Sequence, residues 1–273
     1  MKKTLLFLFI LMIMSQLAQA QFYYARLGFG VSGAISSNRD LLYSYSSNGS
    51  TRSVTAVPLG LGRGITGIAA FGFKPSKYIG IEIGLSEFVG LPKIADSVTD
   101  LPGGYSVEAR VKGNMLCLTP AVVISPGFEK VDPYARIGLV IGLRPTINAT
   151  VTYEKGSVNP PEEYKMVRQY YGNVALGLNA AMGVNWNIND LISLFAEFNF
   201  TSINYSPNYS EVTLFEKNGV DQLSTLTVKQ TKTEYHNSIN PDEQIADTSP
   251  NQELKKTLPF SNAGLFFGIT FHF

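Results

Sequence analysis

The chain has 273 residues, of which 45% are hydrophobic, 12% aromatic and 16% charged, with a formal net charge of +1. Near-neutrality excludes a general electrostatic drive toward nucleic acid or an anionic surface, and the single cysteine, Cys117, excludes an internal disulfide. Past the N-terminal stretch no apolar run approaches the ~20 residues of a spanning helix, so a membrane location is open only to a closed barrel.

The first 20 residues read as a secretory signal: Lys2 and Lys3, an apolar run from Leu5 to Met14, and the small-residue cleavage site Ala18-Gln19-Ala20. No cysteine follows that site, which argues against a lipid-anchored lipoprotein. The expected mature chain, 21–273, fits one domain.

Period-two alternation then recurs eight times. Strand one covers 21–35, with Tyr23, Ala25, Leu27, Phe29 and Val31 on one register and Arg26, Gly28 and Gly30 on the other. Strand two covers 63–74 and strand three 78–88, where Ile79, Ile81, Ile83 and Leu85 alternate with Gly80, Glu82 and Gly84. Strand four, 107–125, contains Pro120, which predicts a bulge or local irregularity. Cys117 reads as a small residue on that strand. Strand five covers 133–147, with Arg136 and Arg144 on its polar register. Strand six covers 170–188 and carries Asn179; strand seven covers 191–205 and carries Glu197. The last strand ends Leu265-x-Phe267-x-Ile269-x-Phe271-x-Phe273, with no further domain expected after it.

Between the strands, turns at 75–77, 126–132 and 189–190 alternate with long polar stretches near 36–62, 89–106, 148–169 and 206–258, read as loops. Short turns at one end and long loops at the other are the pattern of a barrel built from one side of a membrane. The expected fold is therefore all-β: an eight-stranded antiparallel up-and-down transmembrane β-barrel.

The signal, the eight alternating segments and the terminal aromatic strand together resemble the small outer-membrane β-barrels of the OmpA/OmpX-like superfamily, and more closely the porin-family "outer membrane protein beta-barrel domain". The resemblance covers essentially all of 22–273. It implies integral location in a bacterial outer membrane, contact with outer-membrane lipid, and recognition by the barrel assembly machinery of a C-terminal signal comprising Phe267, Ile269, Phe271 and Phe273. It implies no particular activity, because a fold does not fix a function.

An eight-stranded barrel has an interior just wide enough for side chains. Arg26, Glu82, Arg136, Arg144 and Glu197 fall on its inward registers as a charge cluster. Buried charges need partners, so Glu82 and Glu197 are expected to pair with Arg136, with Arg26 as a further partner. A charged pore lining is the alternative. Tyr23, Tyr24, Tyr78, Tyr134, Trp186, Tyr205, Phe260 and Phe271 lie near segment ends and suit interfacial girdles.

Catalysis, cofactors and metals are not expected. His236 and His272 are the only histidines, and a Ser/His/acid set would have to be assembled from His236, Ser238 and Asp242 in the fourth loop. Gly28-x-Gly30-x-x-Gly33 matches a dinucleotide fingerprint in letters but lies within a strand and opens no helix. The expected role is non-enzymatic, structural or surface-interacting, through the external loops and an envelope or extracellular protein partner. A narrow channel is the alternative, followed by a lipid-modifying barrel enzyme.

Overall fold

A computed structural model describes residues 22–35, 41–48, 51–58, 60–101, 105–156, 161–240, 242 and 244–273. The expected signal segment, 1–20, lies outside them. Eight long strands form the body: β1 (Phe22–Ala34), β2 (Gly64–Lys74), β3 (Ile79–Gly90), β4 (Tyr105–Ile124), β5 (Val131–Gly142), β6 (Ala175–Asn187), β7 (Ile192–Tyr205) and β8 (Asn262–His272). Each pairs antiparallel with the next, and β8 returns to pair with β1, from Tyr24 opposite His272 to Ala34 opposite Asn262. The sheet therefore closes, and the expected all-β eight-stranded antiparallel barrel is what the chain forms. Closure leaves these strands no free edge.

Alternation sorts the side chains. Every strand turns large apolar residues outward: Phe29, Phe71, Ile83, Ile124, Ile137, Leu176, Phe198 and Leu265 are all exposed, up to 69% at Ile137 and 71% at Leu176. Inward positions are polar, aromatic or small. The glycines of β1 make room for inward aromatics: a Cβ at Gly28 would stand 2.7 Å from Phe195 Cζ, and one at Gly30 would run into the Phe266 ring. That is the physical reason for the Gly28-x-Gly30 spacing, which has no nucleotide in it.

Pro120 produces no bulge. It lies opposite Ile83, and β4 keeps one register with β5 on both sides of it, Leu118 opposite Ile141 and Ala121 opposite Gly138. The missing proline N–H leaves a gap in the ladder without displacing the strand.

Segments assigned to loops by their polarity carry strands instead. At Asn114, β4 exchanges both neighbours. Below it, β4 pairs with β3 and β5; above it, with Lys93–Leu101 on one side and Thr146–Lys155 on the other. The sheet continues through Glu162–Gly172, Pro207–Lys217 and Lys232–His236 to Asn251–Leu254, whose pairing with Lys232–His236 is parallel. A separate hairpin, Leu41–Asn48 with Thr51–Pro58, stands near Lys93–Leu101. A distal sheet thus rises from one side of the barrel mouth. The connections at the opposite end are brief, with β2 and β3 separated by residues 75–78 alone.

Gly30→Val should destabilise the barrel by about 1–3 kcal/mol through overpacking against Phe266. Val31→Ala, one residue away on the outer face, should shift the urea midpoint of refolded protein far less.

Candidate functional site: a charged ring across the lumen

Four of the five expected interior charges meet. Arg26 of β1, Glu82 of β3, Arg136 of β5 and Glu197 of β7 come from alternate strands. This is how a tilted eight-stranded barrel assembles one layer, four inward side chains at a common height. All four are at most 8% exposed.

The contacts run around a closed cycle. Arg26 Nη1 lies 3.3 Å from Glu82 Oε2 and Nη2 lies 2.9 Å from Glu197 Oε2. Arg136 Nη1 donates to Glu82 Oε1 and Nη2 to Glu197 Oε1, each at 2.7 Å. Each carboxylate gives one oxygen to each guanidinium, so the ring holds two positive and two negative charges and sums to zero. Tyr134 Oη accepts from Arg26 Nη2 at 2.7 Å and donates to Glu197 Oε2 at 2.6 Å. The Arg26 guanidinium also lies over the Phe195 ring, 4.1 Å from its centroid. Several kcal/mol of desolvation per buried ion is set here against four close ion contacts made through the terminal nitrogens of both arginines.

Arg144, expected in the same cluster, is not part of it. β5 ends at Gly142, Leu143 N–H donates to Leu116 O, and Arg144 lies beyond the barrel wall, exposed to solvent. Alternation extrapolated past the end of a strand no longer reports which face a residue occupies. The expected girdle also divides. Tyr23, Tyr78 and Trp186 are exposed on the outer surface, and Phe271 is half-buried. Tyr24, Tyr134, Tyr205 and Phe260 are buried. Their inward register overrides their position near a strand end.

Above the ring, Leu61, Phe88, Met115, Val140, Ile147, Ile203, Tyr205, Leu258 and Phe260 form an apolar cluster that fills the wide mouth. Phe260 meets Phe88 edge-on at 6.3 Å, and its N–H donates to Ile203 O. No spacing in the sequence marks this cluster; only the closed sheet brings residues 61, 88, 115, 203 and 260 together. Asn179 donates through Nδ2 to Asn199 Oδ1 at 2.8 Å between ring and cluster. Cys117 is buried on the inner face and free.

The histidines do not build a catalytic set. His236 Nε2 lies 3.4 Å from Glu234 Oε2, and among the described residues no hydrogen bond joins it to Ser238 or Asp242. His272 Nε2 lies 2.7 Å from Ser193 Oγ, a nucleophile–base distance. Ser193, however, is wholly buried and donates to Asn187 Oδ1 at 2.7 Å. The serine oxygen thus accepts from the imidazole N–H. Among the described residues no group of three or more His, Cys, Asp or Glu could hold a metal ion.

The terminal positions Phe267 and Ile269 are exposed on the outer wall, as is Phe273, and Phe271 shares their face. The chain matches no protein-family model, and no curated protein is significantly similar to it. What fold and ring define is a class: a closed eight-stranded barrel with a charge-balanced, side-chain-filled lumen.

Removing one ring member strands an unpaired buried charge. Arg136→Met should cost about 3–5 kcal/mol. Adding Glu82→Gln should recover part of that loss, because the ring then keeps one charge of each sign. Denaturant unfolding of the two variants and the wild type checks the order.

Proposed function

We propose that the protein is an integral outer-membrane β-barrel that works without catalysis, presenting its distal sheet to a partner outside the cell. The observation that carries this reading is the change of character along one face of β4. Its outward residues run Ile124, Val122, Leu118 and Leu116, then Asn114, Lys112, Arg110 and Glu108. The adjoining Thr146–Lys155 strand sends Asn148, Thr150, Thr152 and Glu154 to the same side. On the inner face the order reverses: the ring and Asn179 lie below, while Val111, Ile147, Val151 and Tyr153 lie above. A greasy exterior around a polar interior suits hydrocarbon, and a polar exterior over an apolar inner face suits water. The boundary falls at Asn114.

The height agrees. Leu116 to Ile124, at about 3.3 Å per residue and tilted about 40°, rise about 20 Å, against an apolar band of ~25 Å in such barrels. A predominantly apolar belt of this height on a water-soluble monomer would far exceed the few hundred Å² such proteins usually leave exposed. On this reading Phe267, Ile269, Phe271 and Phe273 form the lipid-facing end of the strand that assembly machinery recognises.

Thiol labelling of intact cells tests the placement. Thr152→Cys should react with a membrane-impermeant maleimide, Val122→Cys made in a Cys117→Ala background should react only after unfolding, and buried Cys117 should stay silent in the folded wild type. Equal labelling of the two introduced thiols in folded protein would defeat the membrane reading.

A narrow channel is the second reading, favoured by the small voids on either side of the ring. The complete ring and the apolar cluster across the mouth oppose it. Pure wild-type protein in planar bilayers should show no steady open current; a stable single-channel level would favour the channel.

A further inference from the structure

Two voids flank the charged ring. The upper one, about 70 Å³, lies between the ring and the apolar cluster and is lined by Arg26, Arg136, Asn179, Asn199, Thr66 and Thr119, among others. The lower one, about 20 Å³, is lined by Tyr24, Arg26, Glu82, Asn185, Thr270 and His272 among others. Buried polar atoms at both sites have no hydrogen-bond partner: Arg26 Nε, Arg136 Nε and Asn179 Oδ1 around the upper, Asn185 Oδ1 and Thr270 Oγ1 around the lower. Of these residues all but Asn185 are more than nine-tenths buried.

Such atoms are rarely orphaned, because leaving one unpaired costs about 1–3 kcal/mol. Here they mix donors and acceptors. Each arginine spends both terminal nitrogens on the ring and keeps one Nε–H, a pure donor. Asn179 spends Nδ2 on Asn199 Oδ1, Phe200 O and Thr201 Oγ1, keeping Oδ1 as a pure acceptor. A group that satisfies both must accept at one point and donate at another. An anion can only accept, and it would add uncompensated charge beside a ring that already sums to zero. An apolar molecule can do neither.

We infer that the lumen carries two sites for structural water, one on each side of the ring. At ~10–15 Å³ per molecule, the upper site takes a cluster of about five and the lower a single water. In the upper site a water accepts from Arg136 Nε–H while the cluster donates to Asn179 Oδ1. In the lower site one water bridges Asn185 Oδ1 and Thr270 Oγ1. The cluster then completes the hydrogen bonding of the ring, and its upper surface rests against Phe88, Met115, Val140 and Phe260. This holds whether or not the barrel resides in a membrane.

Water–protein cross-relaxation in isotope-labelled full chain in micelles tests it. The expected result is a water cross-peak at Arg136 Hε that survives in wild type and is lost in Asn179→Leu, whose added methyls displace the cluster. A second cross-peak, at the Thr270 hydroxyl or the Tyr24 ring protons, should persist in that variant and vanish in Thr270→Val. Arg136 Hε contacts limited to protein protons in wild type, with Val140 and Ile203 methyls shifting under xenon pressure, would show a dry chamber and overturn the inference. So would an Arg136 Hε shift that follows chloride concentration, which would mark an anion in the site.

Discussion

Four charges that cannot reach solvent and cannot stand alone constrain everything around them. Arg26, Glu82, Arg136 and Glu197 form a cycle in which each ion touches both ions of opposite sign. That arrangement exists only if β1, β3, β5 and β7 are held at fixed relative heights, because a one-residue slip of any strand would turn its charge to the outer face. The ring therefore acts as a register lock. A closed sheet of apolar-out strands has many near-equivalent slipped pairings; the cycle penalises them. Replacing all four by apolar residues need not weaken the fold, since buried ion networks are often no more stabilising than good apolar packing.

The second constraint is the exchange of partners at Asn114. β4 has 20 residues, too many for the barrel wall alone. Below Asn114 its neighbours are barrel strands, and above it they belong to the distal sheet. Asn114 also accepts from Gly90 N–H through Oδ1 at 3.2 Å, tying the end of β3 to the point of exchange. One uninterrupted strand thus couples the two parts mechanically. Interior packing follows the same division: Val111 and Tyr170 of the distal sheet pack on the cluster that fills the mouth, so the sheet is seated on the barrel.

What could be read from the residues follows from what alternation reports. A period of two says which side of a strand a residue occupies, and closure makes that side either wall or lumen. Glu82 between Ile81 and Ile83, and Glu197 between Ala196 and Phe198, were legible as inward carboxylates for this reason. Tyr24, Tyr134, Tyr205 and Phe260 were not. Position near a strand end suggested an interfacial girdle, whereas inward register is the stronger determinant once the lumen has room. Arg144 failed differently: its register holds only while the chain remains a strand, and the strand had ended. The distal strands are hard to tell from loops by composition, because both are polar. Thr146–Lys155 is polar on one face only. Val151 and Tyr153 alternate with Thr150 and Thr152 as clearly as in any barrel strand, but with the greasy side turned inward.

That inversion bears on where activity resides. In the barrel the inner face is spent on holding itself together: the ring, Tyr134, Phe195 and the cluster over Phe260 occupy the lumen and leave only small voids. Among the described residues the serine–histidine contact inside the barrel joins buried Ser193 to His272. The distal sheet is built by the opposite rule and offers Tyr153, Tyr164, Met166 and Phe215 on a half-exposed inner surface, with Tyr153 and Tyr164 meeting edge-on at 5.9 Å. Aromatic residues and methionine ringed by Lys155, Glu162 and Lys217 have the composition of a recognition surface, apolar at the centre and charged at the rim. On the proposed reading, a filled barrel that continues into such a sheet holds a surface in place, and variation in function would fall on the strands above Asn114, leaving the ring below it unchanged.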